Sequence, residues 1–190
     1  MPDNAAKRNM SRRESTMTNG LRDVFNHTIQ DIYNSELQLT KALPKMQSNA
    51  VNADLREAIG DHLAETQTQL GRVEQVCRIL GIPTGDVTCQ ATAGLVKEAQ
   101  EQMEKFGSSS AGDAAIIACA QKVEHYEIAN YGTVIEWAGL LDERDVKDLL
   151  KETFKEEEQA DNRLNKIAKH SVNDAALNAL SVGSSSAHLF

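Results

Sequence analysis

The stretch Ala120 to Tyr131, AQKVEHYEIANY, decides the fold. Its spacing predicts a helix: Ile116, Ala120, Val123, Tyr131 and Val134 recur at helical intervals and mark one buried face. Glu124 and Glu127 are three residues apart, and at about 100° per residue they turn onto that same face. Two carboxylates aimed at a core are costly unless something neutralises them. A bound metal ion is one answer, and the rest of the chain can be read as supplying its remaining ligands.

The bulk composition suits that reading. Of 190 residues, 41% are hydrophobic but only 4% aromatic, and there are three prolines. Alanine, leucine, glutamate and glutamine are plentiful, which favours an all-helical domain over a sheet. A net charge of -8 argues against general nucleic-acid binding and against anionic membranes, while leaving cation binding open. Cys77, Cys89 and Cys119 form no Cys-x-x-Cys pair, so neither a disulfide framework nor a cysteine-zinc site is expected. No apolar run is long enough to span a membrane, and the first residues are polar, without an apolar signal segment. A cytoplasmic protein is the expectation.

In chain order, residues 1–19 read as a mobile polar tail, residues 20–170 as the bundle and residues 171–190 as a second tail with a frayed helical segment at 174–180. The first long helix begins near Leu21, with Val24, Phe25, Ile29, Ile32, Leu39 and Leu43 on one face and Glu36 among them. Pro44 is expected to bend its last turn, and a polar link over 48–54 follows. The second helix, about 54–80, carries His62 inward and Glu65 at the edge, and ends at Gly81 with Pro83 beyond. The long connection 81–112 holds a short amphipathic helix at about 91–105 and a flexible Gly/Ser run at 107–112. Asp113 is expected to cap the third long helix, 114–140. The fourth, about 143–170, places Glu157 in its apolar stripe and Asp161 one turn on, with Glu156 and Glu158 to either side.

The halves match at one offset of 91 residues. Gln30 aligns with Gln121, Glu36 with Glu127, Asp54 with Asp145, Glu65 with Glu156 and Arg72 with Arg163. This suggests two similar helix pairs related by a pseudo-two-fold and joined by the long connection. The fold expected is therefore all-α, a ferritin-like four-helix bundle with a long crossover connection carrying a short extra helix.

Each long helix then offers an acid or histidine to one level of the core: Glu36; His62 and Glu65; Glu124 and Glu127; Glu157 and Asp161. Oxygen ligands with one imidazole suit iron or manganese and accept zinc, and two ions would balance about four carboxylates. Each residue also has a plain structural reading. Glu36 could bond Tyr33 or Gln30, Glu124 and Glu127 could pair with Lys122, and the run 156–158 could be a solvated face, which leaves open whether Glu156 or Glu157 is the inward acid. His125 points away.

The segments DIYNSELQLTKAL, HLAETQTQLGRVEQV, AQKVEHYEIANYGTV and LLKETFKEEEQADNRL resemble the YciF/YciE-like family of bacterial ferritin-like proteins. The resemblance spans residues 21–168. It implies a ferritin-like bundle with a dimetal-type site, a homodimer, and an association with bacterial stress responses. Carried over, the acidic positions are Glu36, Glu65, Glu124, Glu127, Glu157 and Asp161, with His62 beside them. The broader ferritin-like pattern has Glu-x-x-His on its second and fourth helices. Here Glu65 is followed three residues on by Thr68 and Glu157 three residues on by Ala160, while His62 precedes its glutamate. Two functions compete on these grounds. One is a metal-binding stress protein with oxidase or peroxide-scavenging chemistry at two iron or manganese ions per chain. The other is a non-catalytic structural or interaction protein with a vestigial site; an iron-storage cage is a third.

Overall fold

The computed structural model describes residues 20–85 and 87–183, with side chains to residue 179. The N-terminal tail of the sequence reading, residues 1–19, lies outside the described residues, as does 184–190 of the second tail. The described chain is all-helical: α1 (Leu21–Asn49), α2 (Ala53–Leu80), α3 (Gln90–Phe106), α4 (Ser110–Leu140), α5 (Arg144–Ile167), a π-helical turn (Ala168–Val172) and α6 (Asn173–Gly183). No strand occurs among the described residues. Helices α1 and α2 form one hairpin and α4 and α5 the other; together they make a four-helix bundle, with α3 on the long crossover between them.

Local chemistry sets most of the ends. Asn52 caps α2 by accepting from the Leu55 amide, and Gly81 closes it in the left-handed conformation with φ of +66°. Ser109 caps α4 by accepting from the Gly112 amide. The third long helix thus starts at Ser110, not after Asp113, and the Gly/Ser run contributes its own first turn. Gly112 is required there, because a Cβ would stand 2.0 Å from the Gly107 carbonyl oxygen. Helix α1 likewise continues through Pro44 to Asn49, so the polar link shrinks to residues 50–52. Val24, expected on the inner face, is half-exposed. Beyond Ile167 the chain does not leave the helix: the π turn buries Val172 and α6 packs back on α4.

Asp113 is buried and has a different task from capping. Its two carboxylate oxygens accept from the Val51 and Asn52 amides, each at 2.8 Å, tying the start of α4 to the α1–α2 hairpin loop. Ninety-one positions earlier stands Arg22, which does the mirror job: its guanidinium meets Glu143 at 2.5 Å and the Leu141 carbonyl at 3.4 Å, in the α4–α5 loop. The same offset relates two ion pairs, Arg72 with Glu152 at 3.4 Å and Arg163 with Asp61 at 2.6 Å. The repeat is therefore expressed in three dimensions, with the charge exchanged at the loop staples.

The core is two apolar clusters. One gathers Leu39, Leu43, Leu55, Ile59, Ile116 and Leu164. The other gathers Phe25, Ile29, Val73, Val134, Val146 and Leu150. Along every long helix the residues between these clusters are polar: Glu36 follows Ile32, His62 follows Ile59, Glu124 follows Val123 and Glu157 follows Leu150.

Replacing Asp113 by Ala orphans two loop amides, and a loss of about 2 kcal/mol in denaturant unfolding is expected. Replacing Arg22, whose side chain is 40% exposed, should cost under about 1 kcal/mol. Equal losses for both would show that burial does not govern the staples.

Candidate metal centre

The polar belt between the clusters is built from all four long helices. His62, Glu124, Glu127 and Glu157 each offer a ligating atom, and these atoms all lie within 4.8 Å of one another. All four side chains are buried. Glu36, fully buried on α1, borders the group: it accepts the Tyr131 hydroxyl at 2.5 Å and feels the charges of Glu157 and His62. His62 Nε2 lies 3.4 Å from Glu124 Oε1. Glu127 Oε1 accepts from Ser35 at 3.4 Å, and one oxygen of Glu157 accepts from the Gln69 amide.

These contacts leave the set short of partners. One carboxylate oxygen of each of Glu36, Glu124, Glu127 and Glu157, and both ring nitrogens of His62, are buried without a hydrogen bond. Buried polar atoms are normally satisfied, so a convergent group of orphans calls for a cation or protons. The electrostatics agree. Burial, then the neighbouring Glu157 carboxylate, pushes Glu36 up to about 8. Burial likewise holds Glu124 and Glu127 well above the carboxylate range. Burial alone would lower His62, but the carboxylates around it, Glu124 foremost, outweigh that and hold it up to about 10. The donor set fits a hard divalent cation: four carboxylates supply four negative charges and His62 one nitrogen.

The sequence-predicted residues divide in two. His62, Glu124, Glu127 and Glu157 come together, with Glu36 bordering them. Glu65 does not join them; its side chain is 49% exposed and meets His62 Nδ1 only at 3.7 Å. Asp161 stands outside as well, accepting from Gln121 at 3.2 Å and Asn165 at 3.0 Å, with the exposed His125 at 3.5 Å. Glu156 is claimed by Arg72, which donates to it at 2.8 and 3.0 Å, while Glu158 is exposed. The plain structural partners go elsewhere: Tyr33 reaches Glu74, Gln30 the Pro83 carbonyl, and Lys122 Glu98.

Several site neighbours gave no clear signal in the sequence. Tyr131 sits in an apolar stripe, Gln69 falls on or near the inner face of its helix beside Leu70 and Val73 with nothing to mark it as a site residue, and Arg72 shows only its match with Arg163. Less visible still is a polar chain leading away from Glu127. Ser35 bonds Thr92 at 2.7 Å; Thr92 contacts Cys89 Sγ at 3.3 Å; Cys89 meets the Tyr126 hydroxyl at 3.0 Å; and that hydroxyl donates to Asp31 at 3.0 Å. It joins α1, α3 and α4, and no motif in the sequence pointed to it.

A four-helix bundle with one long crossover is the ferritin-like arrangement, and this one turns acids from facing helices inward. Comparison with known proteins narrows this. The profile of the family described as "Domain of unknown function (DUF892)" matches residues 20–177, and the chain belongs to that family. It is 42% identical to Protein YciF of Escherichia coli K12 over 159 residues, 83% of this chain and 96% of that one. The crystal structure of that E. coli protein, described as a stress protein, superposes with a TM-score of 0.78 at 42% identity, covering 83% of this chain and 99% of that chain. YcfI of Rhodopseudomonas palustris, described only provisionally as a structural protein, gives 0.76 at 44% identity, covering 80% and 96%. A Xanthomonas campestris protein shares the fold at 17% identity, with a TM-score of 0.66, covering 87% of this chain and 99% of that chain.

With raised folded-state values, the belt binds more protons folded than unfolded. The stabilisation is complete below the unfolded values and is lost as pH rises, for Glu36 between 4.5 and about 8 and for His62 between 6.5 and about 10. Metal-free protein should therefore lose on the order of a few kcal/mol of stability between pH 5 and pH 9 in urea titrations. Glu36→Gln should flatten that slope and stabilise the metal-free form at pH 8. A slope of opposite sign would contradict the protonation scheme.

Proposed function

We propose that this protein is a ferritin-like metal-binding protein whose belt holds two divalent ions, iron or manganese in the cell and zinc in a sample exposed to it. The observation that carries the reading is the set of orphaned, buried ligand atoms from four helices at one level. Glu36, Glu124, Glu127 and Glu157 would supply oxygens and His62 one nitrogen; Gln69 and Ser35 hold two of those carboxylates in place from behind. Filled with iron or manganese, such a centre would supply electron exchange with O2 or peroxide. Tyr131 keeps Glu36 oriented. Arg72 draws Glu156 away, so that Glu157 alone from that triplet faces the belt. The likeness to an E. coli stress protein supports a role in bacterial stress response, and homodimerisation, implied by the same family, is part of the proposal.

The provisional description of YcfI favours a second reading, a structural protein in which the belt is a relic. Protein purified without chelator, depleted and titrated anaerobically with Fe(II) or Mn(II), separates the two. The metal reading expects close to two ions per chain. Glu127→Ala and Glu157→Ala should each weaken binding by more than the roughly 10- to 100-fold typical of losing an outer partner of a ligand, with Asp161→Ala, whose partners are Gln121 and Asn165, far milder. Less than one ion per two chains, or equal effects of the inner and outer acids, would contradict it.

A further inference from the structure

A cavity of about 160 Å³ opens beside the belt, between α2 and α5. Leu43, Ile59, Ala120 and Leu164 wall it, and His62 and Glu124 form its polar floor. Glu65 and Arg163 stand at the rim. In size it compares with an engineered apolar cavity of about 150 Å³ that takes up benzene. The walls suit an apolar body of six to eight non-hydrogen atoms, by that comparison about one aromatic ring with a substituent.

The floor is not apolar. One oxygen of Glu124 and both nitrogens of His62 lack hydrogen bonds, although the two groups lie 3.4 Å apart. Side by side they present an acceptor and a donor, and a hydroxyl is both at once. An ammonium could serve only the acceptor. A carboxylate would meet Glu124 at the floor and Glu65 at the rim, and the Arg163 guanidinium at the rim is taken by Asp61 at 2.6 Å. We propose that this cavity binds a small neutral hydroxyl compound, its body against Leu43, Ile59 and Leu164 and its hydroxyl on the His62–Glu124 pair. That such a ligand is also a substrate rests on the metal reading above; its seat on the His62–Glu124 pair is a property of the metal-free chain, because bound ions would take the same atoms.

The probe is phenol, added to the full chain in metal-free and Co(II)-loaded forms, with methyl NMR of Leu43, Ile59 and Leu164 as readout. In the metal-free form saturable shifts with a Kd on the order of 1 mM are expected, with toluene and benzoate at least about tenfold weaker. Ala160→Leu fills the cavity and should weaken phenol binding by about tenfold; Ala58→Leu serves if that variant fails to fold. No saturable shift, benzoate bound as tightly as phenol, or unchanged binding in a folded cavity-filling variant would overturn the proposal. Phenol binding without Co(II) uptake supports it and sinks the metal reading; Co(II) uptake without phenol binding to the metal-free form does the reverse.

Discussion

Four carboxylates and an imidazole are enclosed between two apolar clusters, and the rest of the structure answers to that constraint. An ionised carboxylate in such a place is tolerable only with a partner. Protein groups supply part of the answer. Tyr131, Ser35 and Gln69 each satisfy one oxygen, and His62 offsets Glu124. One oxygen on each acid is left over. His62, Glu124, Glu127 and Glu157 also bring ligating atoms within 4.8 Å of one another, which is poor design for a plain core and suitable design for a cation.

The pseudo-two-fold explains how so many acids arrive at one height. Equal hairpins place Glu36 and Glu127, 91 residues apart, at matching positions on facing helices. The outer helices then break the symmetry. His62 corresponds to Thr153, which goes to Arg72 instead, and Thr66 corresponds to Glu157. The duplicated scaffold thus supplies position, and divergence within it supplies the mixed nitrogen and oxygen donor set. The staples at Asp113 and Arg22 keep the two hairpins in register, so a shift at either loop would move ligands from both halves.

Much of this was legible in the chain. Glu36, Glu124, Glu127 and Glu157 have apolar neighbours three or four residues away, so helical phase alone turns them inward. The bundle topology followed from hairpins of equal length and one long connection. Glu65 and Asp161 sit at the edge of their apolar stripes, where a turn of some tens of degrees decides between core and surface, and both lie outside the buried group. Asp113 looked like a cap because an acid at a helix start normally is one; its true partners are sixty residues away and leave no local signature. The chain from Ser35 through Thr92 and Cys89 to Tyr126 joins three helices, and no periodicity encodes it.

The most direct test of the account is an anomalous-difference map from crystals of the full chain grown with Mn(II) or Fe(II), collected at the metal's absorption edge. Two peaks enclosed by Glu36, His62, Glu124, Glu127 and Glu157 are expected. A belt without anomalous density under saturating metal, its carboxylates paired by protons alone, would contradict the central claim.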